Sequence, residues 1–310
     1  MLVQNLFDAD FDQQHDALML NFTTLLQTAQ RSPQTLQAFV DLINHYHQNK
    51  RRSFAWRTVI TPYRVVVSEI MLQQTQTYRV ADKFDQFVTQ FPSFEALAQA
   101  PFEAVLRSWK GLGYNRRAMA LQKIAQAVTN TYAGILPDQP EILETLPGIG
   151  KATARSITTF AFNKPTAFIE TNIRTVYIYH FFPAAAKIAD AEIEPLVTST
   201  LDANNPREWY YALMDYGVML KKRVGNVSRL SKHYHRQSTF QGSDRQIRGM
   251  ILQALLDHHV LSHDEVVELL GKEPGRVCKI IEDLCREGLV VSNHGLLRLP
   301  QNPNGNSPKA

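Results

Sequence analysis

Helical periodicity runs through most of the first 220 residues and restricts the fold more than any other feature of the sequence. Apolar side chains at spacings of three and four residues lie on one face of an α-helix. The first clear stripe of this kind is Leu36, Phe39, Val40 and Ile43. Further helices are predicted over residues 115–131, 151–162, 170–182, 190–200 and 206–223. Because no strand-like alternation is convincing before residue 288, the sequence predicts a mainly α fold.

The ends of the chain differ in composition from this helical stretch. An apolar stripe near residue 20 leaves a docking helix open as an alternative to an irregular N-terminal extension. Near the C-terminus, three helical stripes precede a β-hairpin over residues 289–299, which indicates a small winged-helix-like domain. The expected boundaries are 1–34 for the extension, 35–223 for the main helical domain, 224–242 for a basic linker, 243–300 for the winged-helix-like domain and 301–310 for a disordered tail.

Composition narrows the class of protein. The chain has 310 residues, of which 44% are hydrophobic and 20% charged, so it is an ordinary globular protein; a net charge of +4 only weakly supports a nucleic-acid partner. Cys278 and Cys285 lie in one helical stretch, which suits a reducing cytoplasm better than a disulfide framework. Neither a secretory leader nor an apolar run of the roughly 20 residues of a membrane span is recognised. His233 and His235 lack zinc-site spacing to the cysteines, so no metal site is predicted.

The sharpest motif is a glycine-containing turn between two helical stretches, Leu146-Pro147-Gly148-Ile149-Gly150-Lys151. Gly148 and Gly150 let the backbone turn tightly and leave no Cβ in the way of another molecule. The amides that open the next helix then point outward, where the positive end of the helix dipole favours an anion. We expect this turn, with Lys151 and Thr153, to hold a nucleic-acid phosphate. The alternative is an ordinary turn between helices.

The second motif combines a carboxyl group with amides in Ser68-Glu69-Ile70-Met71-Leu72-Gln73-Gln74-Thr75-Gln76. Thr61-Pro62 supplies an N-cap followed by proline, so a helix is predicted from there through Gln76. On that helix Glu69, Gln73 and Gln76 occupy one face. The flanking positions are apolar, and a buried acid tends to keep its proton, which suits general-acid catalysis. The alternative is a solvated carboxylate on the edge of a helix.

Another acid follows an apolar pair in Phe168-Ile169-Glu170-Thr171-Asn172. Glu170 stands at the mouth of a predicted helix. Its carboxylate either caps the first turn or supplies negative charge beside a developing cation. The sequence leaves both roles open.

Five motifs, taken in order, resemble those of the helix-hairpin-helix DNA glycosylases, and most closely the adenine DNA glycosylase (MutY-like) branch. They are Trp56-Arg57, Thr61-Pro62-Tyr63, the run over residues 68–76, Gly111-Leu112-Gly113-Tyr114 and Leu146-Pro147-Gly148-Ile149-Gly150. The Met-Leu-Gln-Gln-Thr-Gln run is highly specific to that branch. The resemblance covers residues 35–223 and implies a two-lobed helical fold with a DNA cleft between the lobes.

The resemblance also implies a role for each matched residue. Glu69 falls on the acid that protonates adenine, and Glu170 falls on the carboxylate that stabilises the cationic sugar. Asn172 falls on a neighbour that hydrogen-bonds this second carboxylate. The remaining matched positions are Gln73, Gln74 and Tyr114, which contact DNA or enter its stack, and Arg52 and Trp56, which line the base pocket.

The chain departs from that family in four respects. Ala152 stands where bifunctional relatives carry the lysine that forms a Schiff base, so the resemblance implies an enzyme without lyase activity. The four cysteines of a 4Fe–4S cluster are missing after residues 214–217, and a basic run over residues 221–236 follows instead, so no cluster is expected. The C-terminal domain does not resemble the Nudix-like domain that reads 8-oxoguanine. Glu170 replaces the usual Asp, and these last two departures leave the exact substrate open.

The sequence therefore predicts a monofunctional DNA N-glycosylase for base excision repair. It would flip a mispaired or damaged purine, most readily adenine, out of double-stranded DNA and hydrolyse its glycosidic bond. We expect it to act as a monomer without an organic cofactor, and the resemblance implies a monovalent cation at the carbonyls of the hairpin. Two alternatives stay open, which are a glycosylase of the same fold for a deaminated or alkylated base and a non-catalytic DNA-binding protein. The retained Glu69 argues against the latter, because a pure binder does not need a buried acid.

Overall fold

The computed structural model describes residues 2–183, 187–234, 236 and 239–301, with side chains from residue 11 onward. Its helices in chain order are α1 (Leu2–Thr28), α2 (Pro33–Lys50), α3 (Ala55–Thr58), α4 (Pro62–Leu72), α5 (Thr77–Gln90), α6 (Phe94–Gln99), α7 (Phe102–Ser108), α8 (Arg116–Thr131), α9 (Pro140–Leu143), α10 (Lys151–Phe162), α11 (Thr171–Phe181), α12 (Asp190–Thr200), α13 (Pro206–Val224), α14 (Asp244–His258), α15 (His263–Leu270) and α16 (Pro274–Arg286). A 3₁₀ turn covers Val227–Leu230, and the strands are β1 (Val260–Ser262), β2 (Val291–Asn293) and β3 (Leu296–Arg298). The fold is mainly α, as the sequence predicts, and the chain divides into two compact units.

Unit 1 comprises Met1–Ser53 and Lys151–Arg236 and is built around a cluster of buried aromatic rings. Its α1 packs along α2, and α13 packs against both α2 and α11. Large side chains of this core, each at most 2% exposed, include Phe22, Phe39, Tyr177, Phe181 and Trp209. Burial of one such side chain contributes roughly 1.5–3 kcal/mol. The N-terminal stretch is therefore a docked helix, because Phe22 of α1 packs against Phe39 of α2 with ring centroids 5.7 Å apart.

Unit 2 comprises Phe54–Gly150 and Gln237–Ala310. In its first part, α4 opens as predicted: the Thr61 hydroxyl accepts a hydrogen bond from the amide of Arg64 at 3.2 Å, and Pro62 occupies the first turn. The buried side chains at the centre of this part are Val66, Ile70, Phe84, Phe87, Trp109 and Leu121. Helices α4, α5, α7 and α8 pack around them.

The C-terminal segment (residues 243–300) contains the three predicted helices and the predicted hairpin of β2 and β3. The sequence shows no convincing alternation before residue 288, yet a third strand lies there, because β1 pairs antiparallel with β3 in a sheet ordered β1-β3-β2. A strand of three residues is too short to show alternation, and it forms only where β3 lies alongside. The segment belongs to the same compact unit as residues 54–150, and the Arg107 guanidinium donates to the Leu256 carbonyl. Most of the predicted tail, residues 302–310, lies outside the described residues.

The helix boundaries follow the sequence closely at some positions and not at others. Helices α10 and α12 cover the predicted residues 151–162 and 190–200. Helix α4 was expected to continue through Gln76, which is wrong, since it ends at Leu72. Gln76 instead occupies the N-cap position of α5, without a side-chain cap bond.

Candidate functional site

The turn between α9 and α10 keeps its glycines at the surface while its apolar residues anchor it. Leu146 and Ile149 are each only 5% exposed. Gly148 has a φ of +75°, and a Cβ there would lie 2.9 Å from the Cβ of Ala120. This position therefore needs glycine for its conformation and for its close packing. At Gly150 a Cβ would meet no atom within 4 Å, so this side of the turn is open.

Helix α10 begins at Lys151, directly after this turn. The first amides of a helix have no carbonyl partner one turn back, and the helix dipole adds partial positive charge there. The Lys151 side chain is exposed and Thr153 is half-buried. These features together suit a phosphate group that approaches from outside.

The end of α4 differs from the expected single helical face. Glu69 lies half-buried in the last turn, whereas Gln73 is already the C-cap and Gln74 has a left-handed φ of 53°. The amide nitrogen of the Gln73 side chain donates to the carbonyl of Gly148 at 3.3 Å, which ties this loop to the hairpin. Gln74 is exposed. Glu69, Gln73 and Gln76 therefore do not share one helix face.

Arg117 explains why α4 ends where it does. This buried guanidinium donates to the carbonyls of Ile70 and Met71, each at 2.9 Å. In a continuing helix those carbonyls would accept amides from the next turn, so the arginine takes the place of that turn. It also donates to the Gln73 carbonyl at 2.5 Å and to the Thr75 hydroxyl at 2.8 Å.

The same guanidinium holds the loop before α8, because it donates to the carbonyls of Leu112 and Gly113, each at 3.1 Å. Burial lowers the pKa of Arg117 to about 10, which still leaves it a cation at neutral pH. Arg117 therefore joins the loop of Gln73 and Gln74 to the loop of Tyr114. The sequence analysis missed this residue, although an arginine on the buried face of α8, four residues before Leu121, was a readable signal.

Tyr114 follows this loop with a left-handed φ of 48°. Two guanidinium carbons lie over its ring, that of Arg117 at 5.4 Å and that of Arg245 at 5.3 Å from the ring centroid. Arg245 of α14 also donates to the Tyr114 hydroxyl at 2.8 Å. The ring is therefore fixed by cation–π and hydrogen-bond contacts from two different helices.

A pocket of about 420 Å³ brings several predicted DNA-contacting residues together within unit 2. It is lined by Gln73, Gln74, Tyr114, Arg116, Arg117, Met119, Ala120, Lys123, Pro147, Gly148 and Glu287. Three of these side chains are cations, which favours a polyanion at its mouth. Among the described residues this lining does not include Glu69, Trp56 or Gly150.

The second predicted acid lies in unit 1, at the start of α11. One oxygen of the Glu170 carboxylate accepts the amides of Asn172 at 2.8 Å and Ile173 at 3.0 Å, and the other accepts the Asn172 side-chain amide at 3.3 Å. Burial raises the pKa of Glu170, while these hydrogen bonds and the charge of Arg174 act in the opposite direction. The residue is thus a helix cap, and its cap bonds hold the carboxylate in one place. The contact from Asn172 is the one that the family resemblance implies.

Helix α13 positions this acid through two contacts that the sequence analysis missed. The Tyr210 hydroxyl donates to the Thr166 carbonyl at 3.0 Å and accepts a hydrogen bond from the Phe168 amide at 3.2 Å. These two bonds fix the segment that leads to Glu170. At Gly217 a Cβ would lie 2.5 Å from the carbonyl oxygen of Asn172, so only glycine allows α13 to come this close to α11.

The predicted base-pocket residue Arg52 is held by an acid on α13. Its Nε donates to one oxygen of Asp215 at 2.7 Å, and its backbone amide donates to the other at 3.0 Å. The Asp215 side chain is fully buried and the Arg52 side chain is 30% exposed. A buried acid among apolar neighbours in a helix needs a charged or hydrogen-bonding partner. The apolar residues around Asp215 were therefore the signal by which the sequence could have predicted a buried ion pair here.

Trp56, the other predicted base-pocket residue, is 6% exposed and lies in unit 2. Its ring stacks on Phe54 with centroids 4.6 Å apart and meets the edge of Phe84 at 5.6 Å. The structure therefore gives Trp56 a core packing role in unit 2.

The basic segment of unit 1 presents its charges to solvent. Its members, all exposed, are Lys221, Lys222, Arg223, Arg229, Lys232 and Arg236. No Asp or Glu occurs over residues 221–236. A patch of this kind suits contacts with phosphate groups.

A 4Fe–4S cluster needs four cysteine thiolates, and this chain has only Cys278 and Cys285, both on α16. The residues present therefore do not fit such a cluster. Within the described ranges, no group of three or more His, Cys, Asp or Glu side chains is arranged to hold a metal ion. None of the described helices is both long and apolar enough to cross a membrane.

Comparison with known proteins agrees with this geometry. The model of the HhH-GPD superfamily of base excision DNA repair proteins matches residues 67–198. The adenine DNA glycosylase of Mycolicibacterium smegmatis is 30% identical over 270 residues, which cover 81% of this chain and 92% of that protein. The adenine DNA glycosylase of Buchnera aphidicola is 33% identical over 190 residues, which cover 60% of this chain and 53% of the relative, so the chain spans about half the length of that protein.

Among solved structures, a thermostable thymine-DNA glycosylase is similar with a TM-score of 0.54 and 25% identity, over 64% of this chain and 96% of that one. The match to the superfamily model lies over α4 to α12, which includes Glu69, the hairpin and Glu170. The relative from Mycolicibacterium extends the similarity over most of the chain. The chain therefore belongs to the HhH-GPD superfamily of base excision DNA repair proteins and, within it, to the adenine DNA glycosylase family.

Proposed function

We propose that this protein is a monofunctional DNA glycosylase that removes adenine from a mispair in double-stranded DNA. The observation that carries the proposal is the carboxylate of Glu170, held at the mouth of α11 by two backbone amides and the Asn172 side chain. A fixed negative charge stabilises a reaction that builds positive charge on a sugar. Membership of the adenine DNA glycosylase family supports adenine as the base.

The proposed reaction begins with DNA binding at the hairpin. The open amides at the start of α10 and the Lys151 ammonium bind a phosphate, while Gln74 and Tyr114 enter the base stack. The target nucleotide is extruded, because its glycosidic bond is out of reach inside the duplex. Glu69 donates a proton to the leaving adenine as the bond from the sugar to the base breaks. Water then adds its hydroxyl to the sugar carbon, next to the charge of Glu170, and its proton returns to the Glu69 carboxylate.

The absence of lyase activity rests on Ala152. This residue stands where bifunctional relatives have the lysine that forms a Schiff base, and its methyl group offers no amine. Hydrolysis by water then leaves an abasic site and an intact strand. Incubation with duplex should give strand breaks only after hot alkali, and a borohydride-trapped covalent adduct at a yield that matches turnover would contradict this assignment.

No cofactor takes part in the proposed reaction. We propose that the basic segment (residues 221–236) contacts DNA phosphates where relatives have the loop that holds a 4Fe–4S cluster. Stoichiometric iron in anaerobically purified protein would contradict the absence of a cluster. At the hairpin, the carbonyls of Leu146 and Gly148 each already accept a hydrogen bond within unit 2, so a monovalent cation would rely on their remaining lone pairs. We further propose that the protein works as a monomer on chromosomal DNA in the cytoplasm.

The first test is a panel of duplexes that carry adenine opposite guanine or 8-oxoguanine, thymine or uracil opposite guanine, and alkylated purines. Adenine excision should be fastest in single-turnover assays. Glu69→Gln keeps the shape and removes the proton donor, so excision should fall by at least about 10²-fold while DNA binding persists. Glu268→Gln, an exposed glutamate on α15, is the matched control and should leave the rate unchanged. Normal turnover by Glu69→Gln would show that another group is the acid.

A second candidate is a glycosylase of the same fold that removes another base. The similarity to a thymine-DNA glycosylase over 96% of that chain favours it, and preferential release of thymine or uracil from the panel would establish it. A non-catalytic DNA reader is less well supported. Its reading head would be the C-terminal segment, which carries seven Lys and Arg against nine Asp and Glu and is therefore net acidic.

A further inference from the structure

The contact between Arg245 and Tyr114 links the C-terminal segment (residues 243–300) to the pocket that Tyr114 lines together with Gln73 and Gln74. Arg245 lies on α14, outside residues 67–198 that match the superfamily model. It donates to the Tyr114 hydroxyl at 2.8 Å, and its guanidinium carbon lies 5.3 Å from the ring centroid. Both side chains are half-buried. One arginine thus contacts the polar end and the face of the same ring.

Tyr114 has a backbone that benefits from such support. A left-handed φ of 48° is strained for a residue other than glycine, at a cost of roughly 1–3 kcal/mol. A side chain that must enter a base stack also loses rotational freedom when it binds, unless it is already held in place. Arg117 and Arg245 hold the ring before DNA arrives.

The position of Arg245 is set by how α14 is anchored within unit 2. Arg248 on the same helix pairs with Glu287, and Glu287 lies 3.6 Å from Arg116 at the start of α8. Near the other end of α14, Arg107 of α7 donates to the Leu256 carbonyl. The segment is thus fixed against α7 and α8, and α8 begins two residues after Tyr114.

The charge of the C-terminal segment indicates what kind of contribution it makes. With nine acidic against seven basic residues, it is poorly suited to bind DNA on its own. Its contribution to recognition is therefore better made through a residue of the part of the chain that matches the superfamily model. We propose that Arg245 is a positioning residue that holds Tyr114 ready to enter the base stack at the mispair. This inference rests on the proposed function.

The experiment is a double-mutant cycle with Arg245→Met and Tyr114→Phe, which remove the guanidinium and the hydroxyl of the same hydrogen bond. The first readout is the fluorescence of 2-aminopurine placed next to a mispair in an uncut duplex, which reports entry of the ring without any chemistry. The second readout is single-turnover excision. Arg276→Met is the matched control, because Arg276 is in the same segment but pairs with Asp244 at 2.6 Å.

Arg245→Met and Tyr114→Phe should each reduce the fluorescence change and the excision rate about tenfold, as expected for one charge-assisted hydrogen bond. The double variant should lose less than the product of the two single losses, because Tyr114→Phe removes the hydroxyl that Arg245 contacts but keeps the ring. Arg276→Met should match the parent. If Arg245→Met unfolds at the assay temperature, Arg245→Lys, which keeps the charge and loses the planar donor group, takes its place in the cycle.

An effect of Arg245→Met that persists undiminished in the Tyr114→Phe background would overturn the inference, as would an equal effect of Arg276→Met. These outcomes leave the proposed function intact as long as the parent excises adenine. A parent that neither binds nor cuts any mispaired duplex would instead refute the proposed function, and with it the role of Arg245.

Discussion

Arg117→Lys is the substitution that most directly tests how the loop of Gln73 and Gln74 and the loop of Tyr114 are held. Arg117 is 9% exposed and donates six hydrogen bonds, to five carbonyls and one hydroxyl. These contacts come from the four N–H groups of its two terminal nitrogens, whereas a lysine ammonium has three N–H groups on one nitrogen and cannot reach both loops. The Leu112 and Gly113 carbonyls keep a second donor in Thr75 and Trp109, so the loss falls mainly on the carbonyls of Ile70 and Met71. Each buried acceptor left without a partner costs about 1–3 kcal/mol, and water relieves part of that cost. We expect the free energy of unfolding to fall by about 3–5 kcal/mol, a large part of a typical total of about 5–15 kcal/mol.

Equilibrium urea unfolding measures this loss as a lower midpoint at an unchanged slope. Arg116→Lys is the matched control, because Arg116 is the adjacent residue, its side chain is 72% exposed and it contacts Glu287 only at 3.6 Å. A surface change of this kind should stay within about 0.5 kcal/mol of the parent. Affinity for a mispaired duplex, measured where the variant is still folded, should also fall, because Gln74 and Tyr114 are no longer fixed. A loss of less than about 1 kcal/mol would refute the view that Arg117 sets the conformation of both loops.

Three further predictions concern the acid, the charge and the core of unit 1. Glu170→Gln should abolish excision in single-turnover assays while Glu170→Asp stays within about two orders of magnitude of the parent; if Glu170→Gln is as active as the parent, the residue is only a helix cap. Neutralising the basic segment should lower the salt dependence of DNA binding by about one unit of slope for each lost phosphate contact, and an unchanged slope would show that these cations do not touch DNA. Burial lowers the pKa of His180 to about 3 from an ordinary 6.5, so the unfolded chain binds this proton first and stability is lost as the pH falls. Between pH 6.5 and pH 5 the free energy of unfolding, measured in urea, should fall by about 2 kcal/mol, and His180→Phe should reduce this fall. An equal fall in that variant would assign the effect to other groups such as His15, because burial lowers the pKa of His15 as well.

Local signals were enough to predict the elements that carry the site. Helix α10 follows its glycine turn at the predicted residue, and α12 has the predicted bounds. At α4, Thr61 and Pro62 act as the predicted cap and first-turn residue. The determinants of these features lie within one or two turns of each other, because capping and helical periodicity act between residues three or four positions apart. The same local reasoning picked out Glu69 and Glu170 as candidate acids, because each lies next to a run of apolar residues.

The sequence by itself thus determined the mainly α fold, the hairpin and the candidate acids. Only the tertiary structure decided where α4 ends, that β1 exists, and which residues hold Arg52 and Tyr114. Arg117 lies 47 residues from Ile70, Tyr114 lies 131 from Arg245, and Arg52 lies 163 from Asp215. No local pattern can report such pairs, because a guanidinium or a buried carboxylate shows its need for a partner in the sequence but not the partner itself. That choice is made when the packed helices bring distant groups within hydrogen-bond distance in a place where water no longer competes.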